Sequence, residues 1–416
     1  MSTKTTLIGP FRQLVTLDGL VFSGPLSDDQ LQIIEEGGIV VENGKIKAIG
    51  KFKDLKPSFS QKVDLIEDDF VLLPGFVDAH THICYGGTRA GDYALRNAGV
   101  SYLEIARKGG GIWDTVTKTR EADLDQLANQ LAKRAKRHLS EGVTTCEVKS
   151  GYGLDLGSEI KMLEAIKIVD ARLKIDLIPT CLAAHIKPKD FEGSPAEYLL
   201  FTANNLFSFL KDNQLSNRID IFIEESAFST KEAASYLHMA QQYGFSITVH
   251  ADQFSTGGSE IAAKFGAISA DHLEASGEKE FKKLIKADVI GTALPGASLG
   301  LGEPFMKGRK FLDMGGCLVI ATDWNPGSAP MGDLLMQAAV YGAHQKLTTA
   351  ETFAAITGRA AKALQLEDRG ILKQDYLADF VAFPTNDYRE ILYHQGKMKP
   401  EMVWKNGNLI PNSKTR

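Results

Sequence analysis

The sequence predicts an α/β protein: a closed (β/α)₈ TIM barrel with a small β-sandwich domain built from both chain termini. Three observations predict it. From 76 to about 362, eight short apolar stretches alternate with amphipathic ones. That is the pattern of a parallel sheet with helical crossovers, and eight strands argue for closure. Both ends of the chain instead carry short apolar runs joined by Asn-Gly, a β-hairpin signal. No strand candidate leads into a GxGxxG or GKS/T phosphate loop, which weakens a doubly wound open sheet. The expected bounds are 1–70 and 365–416 for the small domain and 71–364 for the barrel.

Taken in order, 38–41 and 46–49 read as a hairpin through Asn43-Gly44, because Asn-Gly suits the φ > 0 demands of a type I′ turn. The barrel strands are expected at 76–82, 144–150, 175–185, 219–225, 246–252, 268–274, 289–295 and 317–325. The clearest helix is 123–139, with Leu124, Leu127, Leu131, Ala135 and Leu139 on one stripe and Gly142 as its stop. Its basic residues Lys133, Arg134, Lys136 and Arg137 read as solvent-facing. Further helices are expected at 159–169, 231–242, 259–265, 278–286 and 331–344. A strand at 379–383 and a second Asn-Gly hairpin, 402–404 with 408–410, close the chain. Two β-rich termini that build one domain suit chain ends that lie close in space.

Bulk properties exclude several function classes. The chain has 416 residues and a formal charge of −5, from 47 basic and 52 acidic side chains. Nothing in that balance suggests a nucleic-acid or membrane surface. No apolar run is long enough to span a bilayer, and the first residues lack the apolar core of a signal peptide. Cys84, Cys146, Cys181 and Cys317 are far apart, without a CxxC pair. They read as reduced thiols of a cytoplasmic enzyme.

The chemistry of such a barrel sits at the C-terminal ends of its strands. Here those ends carry His80, His82, Lys149, His185, Glu224, Glu225, His250, His272 and Asp323, so five of the nine histidines gather there. His138, His238, His344 and His394 read as structural or exposed. In the stretch FVDAHTH, His80 and His82 share a face, since strand side chains alternate. Three imidazoles and a carboxylate make a borderline site that suits Zn or Fe. The candidate ligands are His80, His82, His250 and Asp323. Asp323 competes with a helix-capping role, which Asn325 or Ser328 can fill equally well. A second metal would need a bridging group, often a carbamylated lysine at the end of the fourth strand in barrels of this type. The fourth strand ends in Glu224-Glu225, and Lys149 lies on the second strand, so one divalent or trivalent ion is expected.

The motifs PGFVDAHTH, EVKSGYGLD, SADHLE and ATDWNPGS, with the KGGGI loop at 108–112 and the AAH at His185, resemble the amidohydrolase superfamily. Within it, they are most similar to the imidazolonepropionase family. The resemblance covers essentially the whole chain. It implies a hydrolase of histidine degradation that opens a cyclic amide, 4-imidazolone-5-propanoate, to N-formimino-L-glutamate. It places His80, His82, His250 and Asp323 on the metal positions. It places Arg89 on the propionate and Tyr102, Tyr152, His185, Asn325, Gly327 and Ser328 on substrate contacts. Asp323 is the implied proton carrier, His272 the implied stabiliser of the oxyanion, and Gln253 a group that holds the ring. Many relatives have Glu at the position of Gln253; an amide donates and accepts hydrogen bonds but cannot shuttle a proton. A homodimer is implied by the resemblance alone.

Two other readings compete. A mononuclear-metal deaminase of a purine- or pyrimidine-like ring would release ammonia, and Gln253 argues against it. A non-catalytic scaffold of the same fold would have lost its metal ligands, whereas here all four are present.

Overall fold

The computed structural model describes residues 5–59, 62–100, 104 and 109–411. Eight parallel strands run in the order of the chain: Phe76–Asp78, Val143–Lys149, Asp176–Ala184, Arg218–Ile223, Ser246–Ala251, Ser269–His272, Ile290–Ala293 and Leu318–Ile320. Each falls within or beside an expected stretch. Most are buried along their whole length, as parallel strands covered on both faces must be.

The first strand stops at Asp78, four residues before its expected end. The chain there leaves the regular ladder to close the barrel. Thr81 bridges Trp324 in parallel. Asp323 N donates to His80 O and His82 N to Trp324 O, both at 3.0 Å. The Asp78 carboxylate accepts from Thr322 N at 3.0 Å and from Thr322 Oγ1 at 2.6 Å. The seam between first and last strands is therefore sewn at its C-terminal end, where His80, His82 and Asp323 lie.

The helices show why the sequence folds locally as it does. Leu124–Ser140 starts with a capping box: Asp123 accepts from Gln126 N at 2.8 Å while Gln126 accepts from Asp123 N at 3.0 Å. Leu127, Leu131, Ala135 and Leu139 are buried. Gly142, at φ +97°, then turns the chain where a side chain would crowd Pro400 and Val381. The basic face is not simply solvated. Arg134 lies over the Tyr85 ring at 3.5 Å and donates to Ile83 O and Tyr85 O. Arg137 lies over Trp324 at 4.7 Å. Both pack long stems and planar heads onto the first loop and the seam. His138 on this helix is buried, with Nε2 3.2 Å from Asp78 Oδ2; His238, His344 and His394 are exposed.

A long helix, Pro195–Asp212, fills the crossover before the fourth strand, where no helix was expected. The last crossover helix starts at Leu334 with Asp333 as its cap, not at 331. Asn325 and Ser328 consequently belong to a loop and cap no helix.

The termini build a mixed sheet. From one edge its strands are Asn408–Leu409, Met402–Lys405, Phe380–Phe383, Val71–Pro74, Thr5–Val15, Ile33–Glu42 and Lys45–Lys51. Val63–Leu65 also pairs with Thr5–Val15. The sheet thus reaches past residue 70 to Pro74. Both Asn-Gly pairs sit in tight turns with positive φ at each residue: Asn43 at 52°, Gly44 at 79°, Asn406 at 49° and Gly407 at 70°. Phe11, Phe380 and Trp404 anchor its core. Lys405 joins sheet to barrel: its buried ammonium lies 2.7 Å from Asp176 Oδ2 and 2.6 Å from Asp379 Oδ2. Among the described residues the four cysteines are free and buried, and no helix is long and apolar enough to cross a membrane.

Candidate metal centre and active site

His80 and His82 emerge from the first strand, His250 from the fifth and Asp323 just after the eighth. All four are buried. His80 Nε2 lies 3.3 Å from His82 Nε2, and His250 Nε2 lies 3.2 Å from His82 Nε2. Asp323 Oδ1 lies 3.3 Å from His82 Nε2 and 3.6 Å from His80 Nε2. The far side of two rings is committed. His80 Nδ1 is 2.7 Å from Asp271 Oδ2, and His250 Nδ1 is 2.9 Å from Asp220 Oδ2. An ionised carboxylate only accepts, so each Nδ1 carries the hydrogen and each Nε2 presents a lone pair.

Lone pairs from several imidazoles and a carboxylate oxygen thus crowd one point among buried side chains. A cation relieves that crowding, and the donor set is one that zinc and iron both accept. The residues present fit a metal ion. Protonation is a poor substitute. Burial, then Lys149 and His250, hold His80 well below the usual imidazole range. Burial lowers His82 too, against the pull of Asp323. Burial alone would raise Asp323; His82 beside it and the other surrounding imidazoles hold it low.

The centre opens into a cavity of about 640 Å³. Its wall includes His82, His250, Asp323, Arg89, Tyr152, His185, Gln253, His272, Asn325, Gly327 and Ser328. A larger cleft, about 710 Å³, lies at the opposite end of the barrel between Ile268, Ile290, Lys362 and Arg369. It contains no histidine, and catalytic groups of this architecture gather at the other end, so the smaller cavity is the candidate site.

The structure brings together every expected site residue but one; Tyr102 lies outside the described residues. Arg89 precedes the helix Ala90–Asn97, and its Nε donates to Asp92 Oδ2 at 2.9 Å. Asp92 in turn accepts from Gly111 N at 2.8 Å, which ties down the glycine-rich loop. A methyl group at Gly327 would collide with Arg89 Nη1, so glycine lets the guanidinium approach the backbone. Asn325 organises that loop: its Oδ1 accepts from Gly327 N at 2.7 Å and Ser328 N at 2.8 Å, and its Nδ2 donates to Asp323 O at 2.7 Å. The same bonds fix Asp323.

His185 stacks on His82, with ring centroids 5.6 Å apart. Its Nδ1 donates to Gly151 O at 2.9 Å. A carbonyl can only accept, so Nε2 is left as an acceptor. Burial, helped by His82 and His250, pushes this imidazole down to about 3, so it stays neutral. Tyr152 packs against both rings, 6.0 Å from His82 and 5.5 Å from His185. Gln253 is half-buried on the cavity wall.

His272 ends the sixth strand at φ +85°, an unusual backbone for a residue with a side chain. Its Nδ1 is 3.4 Å from Glu274 Oε1. Burial lowers His272, but Glu274, with Asp323 and Asp271, more than offsets it and the imidazole is raised.

Sequence reasoning missed four participants. Asp220 and Asp271 orient two of the histidines; their signal was a charged residue inside an otherwise apolar strand. Glu274 sat unassigned in SADHLE. Arg96 lines the cavity beside Arg89 and donates to Gly327 O at 3.0 Å; on a helix surface it carried no signal at all.

Comparison with known proteins bears on family and fold. The amidohydrolase family model matches residues 71–410. Imidazolonepropionases of Bacillus mycoides and Bacillus cereus are each 37% identical to this chain over 410 residues. The matches cover 97% of the chain and 96% of each relative. Among solved structures, a mutant atrazine chlorohydrolase from Arthrobacter aurescens TC1, complexed with zinc and atraton, superposes with a TM-score of 0.69 at 17% identity. That match covers 98% of this chain and 96% of the other. A zinc-bound adenosine deaminase from Xanthomonas campestris gives 0.71 at 18% identity, covering 97% and 92%. At such identities these structures speak for the fold alone.

Proposed function

The chain belongs to the imidazolonepropionases of the amidohydrolase family, and from that premise we propose that it hydrolyses 4-imidazolone-5-propanoate to N-formimino-L-glutamate. The observation that carries this reading is the meeting of His80, His82, His250 and Asp323 at the floor of a cavity whose rim holds Arg89.

These four side chains would hold one metal ion, zinc or iron. Such an ion supplies Lewis acidity, lowering the pKa of water towards about 7 and polarising a carbonyl. The rest of the work falls to the chain. Asp323 takes a proton from the attacking water as its oxygen bonds to the lactam carbon. His272 donates to the carbonyl oxygen as negative charge develops there. The ring carbon–nitrogen bond breaks, and Asp323 returns its proton to the departing nitrogen. His185, through its accepting Nε2, and Gln253 hold the ring. Tyr152 walls the substrate, a contact the family resemblance also gives to Tyr102, and Asn325, Gly327 and Ser328 frame it.

Arg89 clamps the propionate. A guanidinium pairs with a carboxylate through two parallel charge-assisted bonds. Arg89→Ala should therefore raise KM for 4-imidazolone-5-propanoate by about 100-fold, as expected for losing hydrogen bonds between charged groups. kcat should fall much less. A spectrophotometric assay of ring opening checks both. An unchanged KM would remove Arg89 from the site, and no turnover by wild-type protein would remove the reading itself.

The reaction is placed in the cytoplasm, with a small molecule as substrate and no nucleic acid or membrane as partner. The formal charge of −5 supports the last of these, since it offers no basic surface to nucleic acid or anionic lipid. A homodimer is proposed on the family resemblance alone.

A further inference from the structure

The second strand carries a lysine that the proposed chemistry does not use. Lys149 is completely buried. Its ammonium lies 2.8 Å from Glu147 Oε2, 2.7 Å from Asp220 Oδ2 and 3.9 Å from Asp271 Oδ2. Asp220 and Asp271 are the two carboxylates that face His250 Nδ1 and His80 Nδ1. One cation thus sits behind two carboxylate–imidazole pairs from the fourth, fifth, sixth and first strands. Glu147 is held separately by Thr180 Oγ1 and touches no imidazole in this network.

We propose that Lys149 is a positioning residue for the metal centre: through Asp220 and Asp271 it fixes the orientation of His250 and His80. The inference rests on the metal-site reading above. Its physical basis is that the carboxylate behind a ligating imidazole sets the ring's orientation, and that a buried carboxylate keeps its place only if its own charge is paired. Lys149 remains charged for this task. Burial would lower it, but Asp220, Glu147 and Asp271 together more than offset burial and raise it.

The opposite expectation is equally definite. An ammonium behind the ligands repels a metal ion. If Lys149 were only a buried charge that fills space, its removal would leave zinc binding unchanged or tighter. If it positions the ligands, removal weakens binding despite that relief. The sign separates the two roles.

The test is zinc affinity of metal-free full-length protein, measured by competition with a chelator. Wild-type binding tests the metal site; the ratio of variant to wild type tests Lys149. Lys149→Met should weaken zinc binding by about 10- to 100-fold, the range seen when groups behind a metal ligand are changed. In an Asp220→Asn background the same substitution should cost less than it does alone, because part of its route is already cut. Unchanged or tighter binding in Lys149→Met, or full additivity with Asp220→Asn, would overturn the proposal. If Lys149→Met does not fold, Glu147→Gln/Lys149→Met withdraws one charge of each sign and carries the same expectation. Glu147→Gln alone should stay within about threefold of wild type, since it leaves the two carboxylates paired. A loss in Glu147→Gln equal to that of the double variant would also overturn the proposal.

Discussion

Asp323→Asn is expected to lower kcat on 4-imidazolone-5-propanoate by roughly 10³-fold or more. The substitution keeps the shape of the side chain and removes its charge and its basicity. An amide cannot take a proton from water and return it to a ring nitrogen, and proton transfer of this kind is worth about 10²- to 10⁴-fold. It also replaces an anionic donor next to three imidazoles with a neutral one, so the metal centre loses charge balance. The fold should survive. Asp323 sits at φ +50°, a region that asparagine tolerates better than most residues. Its backbone is pinned by Asp323 N to His80 O at 3.0 Å and by Asn325 Nδ2 to Asp323 O at 2.7 Å, neither of which involves the carboxylate. Steady-state kinetics with thermal unfolding checks the expectation. A variant within tenfold of wild type would take the proton-carrying role away from Asp323.

His272→Ala should cut kcat by about 10²- to 10³-fold, as for removal of one oxyanion donor, and leave metal content close to wild type. The reason lies in the distances: His272 lines the cavity, yet the lone pairs that crowd the metal point come from His80, His82 and His250. His272 already holds φ +85°, so alanine adds little backbone strain of its own. Equal losses of metal and activity would make the residue structural. The partner gives a pH signature. Glu274, with Asp323 and Asp271, holds the His272 imidazole above its ordinary value against burial. The donating, protonated form is present below that raised value and is lost as pH rises through it. Glu274→Gln removes the strongest upward pull, so the alkaline fall of kcat should begin at lower pH. A pH–rate profile that does not move would show that His272 acts as a neutral donor.

The eight strands and their order were legible because parallel strands buried on both faces are short continuous apolar runs, and turn residues punctuate them. The Asn-Gly turns were legible because only a few residue types accept φ > 0 twice in succession. Strand ends were less so. The stretch through His80 and His82 reads as strand, and the backbone there instead closes the barrel against Trp324. The helix Pro195–Asp212 was overlooked although its start is written in Ser194-Pro195-Ala196-Glu197, a capping box with proline at the first turn. The histidine cluster was readable from one fact, that histidines recur at the same end of several strands. The groups behind it were not. Lys149, Asp220 and Asp271 come from three different strands, and Lys149 looked misplaced because a bridging role was the only one considered for it. Arg134 and Arg137 looked solvated because charge on a helix face says nothing about which rings lie within reach.

All of this depends on one cation at one point. The measurement that tests it most directly is anomalous X-ray diffraction at the zinc and iron absorption edges, on crystals of protein purified without chelator. The expected result is a single strong peak within coordination distance, about 2.0–2.2 Å, of Nε2 of His80, His82 and His250 and of a carboxylate oxygen of Asp323. No peak there, or a metal held elsewhere with these four side chains left to one another, would contradict the account.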